Sequence, residues 1–194
     1  SLKGYDYRVQ IYKDKAPNAS AIGGGNIYFS SGLLDIIEDP YELETIVAHE
    51  IAHVEKRHSL KGFRFEQKRQ LIATGSALVV GLAAIAADVE LDGALILAGA
   101  TKEVVDYTST FVKKGYSREL EQEADILAQL YLARQNIDKK FMVNILDKFV
   151  SHNISRDGFH DSTPDAFASH PNMLKRIHQV ENSKMHSFDT NLVL

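Results

Sequence analysis

Cysteine is absent from the sequence, which excludes disulfides and thiolate metal sites and leaves His, Asp and Glu to hold any metal. A concentrated positive stripe is missing too. The 22 basic residues are scattered among 26 acidic ones, giving a formal net charge of −4, and nucleic acid is excluded as a partner. Long hydrophobic runs are scarce: residues 71–87, without a charge and rich in Ala, Gly and Leu, come nearest to one. Asp88, Glu90 and Asp92 interrupt that run before a second small-residue stretch at 93–100, so the pair reads as a buried helical hairpin rather than a segment that touches or crosses a bilayer. No initiator Met and no charged, apolar leader precedes Ser1; any targeting segment is expected to have been trimmed or never present.

What is present suffices for one core. With 194 residues, 44% of them hydrophobic, the chain reads as a single domain over 1–194, mainly helical α+β, with 183–194 a frayed tail. Tyr5, Tyr7, Val9 and Ile11 alternate with polar neighbours, the period of a strand with one buried face. Ala19 to Ile22 and Asn26 to Ser30 predict a hairpin near a sheet edge, with Gly23, Gly24 and Gly25 supplying the permissive backbone between them. Asp39, Pro40 and Glu42 form a helix start, and the helix is predicted to run to about His58. Ser117 caps a second helix to about Gln135, and a third follows Asp138 with Phe141, Ile145, Leu146 and Phe149 on its apolar face. Residues 151–170 read as a long loop. Pro171 is expected to open the last helix.

The chemistry sits in His49-Glu50-Ile51-Ala52-His53. Two His at i and i+4 on a helix project side by side and can bind one Zn²⁺ through their imidazole nitrogens. Glu50 falls on the same side, where its carboxylate can take a proton from a water that the metal activates and later give it to the leaving amine. The plainer alternative is two histidines satisfying a core helix. It leaves Glu50 unexplained, because a buried unpaired carboxylate costs several kcal/mol. A catalytic zinc needs a third protein ligand. The metzincin pattern would put Gly at 56 and His at 59, where this sequence has Lys56 and Ser59; the gluzincin pattern takes a Glu from a later helix. Glu121 is the choice, at a core border, with Asp125 one turn on to accept a hydrogen bond from a ligand histidine. Glu119 and Glu123 read as solvent-facing. Arg57, His58 and Tyr116 read as surface or packing residues.

Asn18-Ala19 with Gly23-Gly24 and Ile27, Gly32-Leu33-Leu34, His49 to Val54 with Arg57-His58, Tyr116-Ser117-Arg118 through Glu121 and Ala124-Asp125, and Ser169-His170-Pro171 with Arg176 occur in order over residues 18–176. In this ordered set the chain resembles the HtpX and CAAX prenyl protease family of zinc metallopeptidases, which are gluzincins, and especially its soluble bacterial envelope branch of BepA-like and Oma-type proteins. The resemblance implies a zincin-like domain whose small sheet has an edge strand facing the active-site helix, with one Zn²⁺ per chain on His49, His53 and Glu121. It implies Glu50 as the catalytic acid–base and Asp125 as the companion of a ligand. His170 becomes a fourth ligand or a gate over the metal, and Arg176 a group that pairs with a carboxylate or polarises a substrate carbonyl. Gly24, Gly25, Asn26 and Ile27 become the edge that binds an extended substrate by strand addition. The implied function is hydrolysis of unfolded or misassembled proteins in envelope quality control, periplasmic or peripheral to a membrane, with contact to outer-membrane assembly. A latent protease acting as a chaperone-like client-binding module is the rival. The lack of several long hydrophobic spans sets the chain apart from the membrane-embedded members that process prenylated substrates.

Overall fold

The structure, a computed structural model, describes residues 4–22, 24–62, 64, 115–157, 170 and 172–184, the side chains of 153–157 excepted. The hairpin expected within 71–100 lies outside the described residues, as do Gly23, residues 158–169 of the loop expected over 151–170, Pro171 and the tail beyond 184. Among the described residues, the strands β1 (Arg8–Tyr12), β2 (Ala19–Ile22) and β3 (Asn26–Ser30) are followed by the helices α1 (Ser31–Ile36), α2 (Pro40–Glu55), α3 (Arg118–Arg134), α4 (Lys140–Asp157) and α5 (Met173–Glu181). The architecture is mainly helical α+β, as the sequence implied.

The sheet order is β1-β3-β2, with β1 parallel and β2 antiparallel to β3. Gly24 and Gly25 turn the hairpin at φ 80 and 87. A Cβ on Gly25 would stand 3.0 Å from Asp6 O, so this crossing is restricted to glycine twice over. β1 corrects the expectation of a buried face. Val9 and Ile11 are 54% and 64% exposed, because β1 is an outer strand that no described element covers. β3 runs through the middle, its Asn26 paired with both Arg8 and Ile22. Among the described residues β2 is therefore the outer strand nearest the helices: it packs on α2, and its Ala19 and Ala21 carbonyls accept from side chains.

Helix boundaries follow local chemistry. Asp39 Oδ1 accepts from Tyr41 N at 2.8 Å while the Glu42 carboxylate accepts from the Asp39 amide, closing a capping box with Pro40 at the first turn. α2 ends at Glu55, before the expected His58, because Arg57 enters the left-handed region at φ 52. Residues 58–62 then begin a new helical segment. α4 continues to Asp157, into the segment expected from 151 to be a loop. α5 begins at Met173 behind Asn172 at φ 66, not at Pro171. Ser183, expected to fray, is held: its carbonyl accepts from Lys139 Nζ at 2.7 Å and its hydroxyl donates to Gln129 Oε1 at 2.6 Å.

The apolar core joins the sheet to α2, α4 and α5 through residues such as Phe29, Ile46, Met142, Ile145, Leu146 and Val180. α2 packs most extensively on α3, and it is between these two helices that the buried polar groups collect.

Candidate metal centre

His49 and His53 leave the buried side of α2 one turn apart, and Glu121 leaves the facing side of α3. His170 joins them from ahead of α5. One donor atom from each of these four buried residues lies within 4.8 Å of all the others. His49 Nε2 stands 2.9 Å from His53 Nε2, 3.5 Å from Glu121 Oε2 and 3.3 Å from His170 Nδ1. Glu121 Oε1 stands 3.4 Å from His53 Nε2 and 2.9 Å from His170 Nδ1. Nitrogen and oxygen ligands about 2.0–2.1 Å from a tetrahedral ion stand roughly 3.3–3.4 Å from one another, so the donor set fits a zinc-sized cation. Glu50 is 1% exposed and its Oε2 has no hydrogen-bond partner, while Oε1 is 3.3 Å from His170 Nε2. A buried acceptor left in that state needs a partner of the kind a metal and its water provide.

The electrostatics follow from this crowding. Burial opposes charge on His53, the neighbouring His49 adds to it, and together they hold its pKa well below the ordinary value, which keeps the ring neutral as coordination requires. Burial raises the Glu121 carboxyl, but His170 and Arg176 outweigh it and hold it well below the usual carboxylate range. Burial likewise opposes charge on His170, yet Glu121 and Glu50 push its pKa up to about 10.

Around the donors is a second layer. His49 Nδ1 donates to Asp125 Oδ1 at 2.9 Å. Arg176 donates to Asp125 twice, from Nε at 2.8 Å and from Nη2 at 2.7 Å, and its Nη1 lies 2.8 Å from Glu121 Oε2. Of the two roles read for Arg176, carboxylate pairing is the one its surroundings match. His170 Nε2 also lies 3.2 Å from Ala19 O on β2. Of the substrate edge that the resemblance implies, Gly24 and Gly25 form the turn, while Asn26 and Ile27 lie on β3, paired with Arg8 and Val9 of β1 and with Ile22 and Ala21 of β2.

Three residues set aside in the sequence belong to this layer. His58 is fully buried, with Nδ1 2.9 Å from His53 Nδ1. Tyr116 stacks on His53 with centroids 3.8 Å apart and donates to Ala21 O at 3.2 Å. Glu123, expected in solvent, meets His58 Nε2, Lys56 Nζ and Lys61 Nζ, each at 3.1 Å. Burial raises its carboxyl, but these three donors outweigh it and bring the pKa down to about 2. The signal for His58 was its place five residues after His53. On a continuous helix that offset points away from the metal face; the left-handed turn at Arg57 brings it back.

The description "Peptidase family M48" matches residues 1–184. The beta-barrel assembly-enhancing protease of Yersinia pestis is 29% identical over 170 residues, covering 85% of this chain and 32% of its own length. The putative beta-barrel assembly-enhancing protease of Vibrio cholerae is 30% identical over 164 residues, 83% of this chain and 31% of its own. Metalloprotease YcaL of Escherichia coli is 25% identical over 182 residues, 94% of this chain and 64% of its own. The chain thus spans about a third of the length of the first two relatives. Its fold, its buried His and Glu cluster and the match across nearly all its length lead to one conclusion: the chain belongs to peptidase family M48, a family of metalloendopeptidases.

Proposed function

We propose that the protein is a zinc-dependent endopeptidase for unfolded or misassembled proteins, working in the bacterial envelope either in the periplasm or peripherally on a membrane. The convergence of His49, His53 and Glu121 beside the unpartnered Oε2 of Glu50 carries this reading. His49, His53 and Glu121 would hold the metal. Bound zinc lowers the pKa of a coordinated water to about 7 and polarises a carbonyl. Glu50 takes the proton of the attacking water and delivers it to the leaving amine. Asp125 accepts the Nδ1 proton of His49, which keeps the Nε2 lone pair free, and Arg176 holds both Asp125 and Glu121 in position.

His170, paired with Glu121 and Glu50, covers the side of the donor set where a catalytic zinc keeps an open position. On this reading the site is closed, and His170 must withdraw before substrate enters. An extended substrate would lie along β2, displacing the contact that His170 makes to Ala19 O and those that Tyr116 and Ser59 make to Ala21 O. The relatives named for β-barrel assembly suggest outer-membrane assembly clients.

The test is cleavage of an unfolded protein by the zinc-loaded chain. Glu50→Gln is expected to lower kcat by about 10²–10⁴-fold with zinc still bound, whereas His170→Ala raises it. Undiminished cleavage by Glu50→Gln would overturn the mechanism. No cleavage by parent or His170→Ala, with client binding intact, would favour a binding module instead.

A further inference from the structure

Asp125 gives His49 its proton acceptor, but among the described residues no carboxylate does the same for His53. The Nδ1 of His53 instead faces the Nδ1 of His58 at 2.9 Å. Two imidazole nitrogens at that distance share one proton, so one ring donates and the other accepts. His53 Nε2 is turned into the donor cluster, 2.9 Å from His49 Nε2 and 3.4 Å from Glu121 Oε1, where a metal needs a lone pair. Its single ring proton is therefore on Nδ1, and His53 donates. His58 must accept through an unprotonated Nδ1 and carry its own proton on Nε2. Glu123 Oε2 accepts that proton at 3.1 Å.

Glu123 is fixed in turn by Lys56 and Lys61. The lysines flank the Arg57 turn that turns His58 inward, and Glu123 comes from α3, two residues after Glu121. The chain of donors thus ties the end of α2 to the helix that supplies the third ligand. Resting on the metal reading above, the geometry points to His58 as a positioning residue that sets the tautomer and ring orientation of His53 for metal binding, with Glu123 as its anchor. The two histidine ligands are then oriented by different means, a carboxylate for His49 and a second imidazole backed by a carboxylate for His53. Loss of such outer partners costs about 10–100-fold in metal affinity.

The experiment measures the Zn²⁺ affinity of the purified chain by competition with a chromophoric chelator, for the parent and three variants. His58→Leu removes the acceptor and is expected to weaken binding by about 10–100-fold. His58→Asn puts an amide oxygen near the place of Nδ1, so it restores acceptance and should stay within about 3-fold of the parent. Glu123→Leu, at a half-exposed side chain, frees His58 to change tautomer and should weaken binding by about 3–10-fold. Parent-like affinity in His58→Leu overturns the proposal, as does an equal loss in His58→Leu and His58→Asn, which would mark a role in packing alone. Should His58→Leu fail to fold, unchanged affinity in Glu123→Leu overturns it. A parent that binds no Zn²⁺ would defeat the metal reading itself, a result distinct from these.

Discussion

The two sides of α2 face interiors of opposite kinds. Toward α4 it meets Met142, Ile145, Leu146 and Phe149, an apolar interface with well-buried side chains. Toward α3 it buries His49, His53, Glu50, Glu121 and Asp125, charged or chargeable groups with little apolar packing among them. The first side stabilises by removing apolar surface from water. The second has large desolvation costs, met only by pairing among its own members and by whatever they coordinate. One helix thus joins a region that makes the fold to a region that the fold must hold in place.

This contrast can be broken from the apolar side first. Ile145→Ala should lower unfolding free energy by about 2–5 kcal/mol, read by denaturant titration, while Zn²⁺ stoichiometry stays the same; a loss of metal without loss of stability would mean that the two regions are not separable. From the polar side, chelation should destabilise by about 2.7 kcal/mol relative to protein with free Zn²⁺ at a hundred times its Kd, seen as a lower Tm. An unchanged Tm would mean that the cluster is satisfied without a cation. The smallest effect sharpens the comparison at the rim, where Lys148 Nζ bonds Glu42 and Glu38, each at 2.8 Å, tying α4 to the start of α2. Burial raises the Glu42 carboxyl, but Lys148 and two backbone amides outweigh it and hold it below its ordinary value of 4.5. That stabilisation is present above pH 4.5 and is lost as pH falls through the lower folded pKa. Lys148→Met should cost about 1–2 kcal/mol at neutral pH, and its difference from the parent should shrink in acid. A constant difference from pH 7 down through acid would contradict the ion pair.

The sequence was most legible where structure is local. The Asp39, Pro40 and Glu42 start and the Ser117 cap depend on neighbours within four residues, and the i, i+4 spacing of His49 and His53 follows from helix geometry alone. Tertiary facts were harder to read. Alternation at Val9 and Ile11 reports a pleat but not what covers it, and β1 turned out to be an exposed outer strand. The hairpin was visible, but which of its strands is central depends on the distant pairing of β1, and so β3, read as an edge, lies in the middle of the sheet. His58 was hidden by one left-handed residue, Arg57. Glu123 was read as solvated because the cations that surround it come from the other side of the α2–α3 interface.

The central claim is that His49, His53 and Glu121 share one zinc ion. Crystals grown with Zn²⁺ and measured at the zinc absorption edge test it directly. The account predicts one anomalous peak per chain about 2.0–2.2 Å from His49 Nε2, His53 Nε2 and a Glu121 carboxylate oxygen. A peak elsewhere, or none there in Zn²⁺-grown crystals, would contradict it.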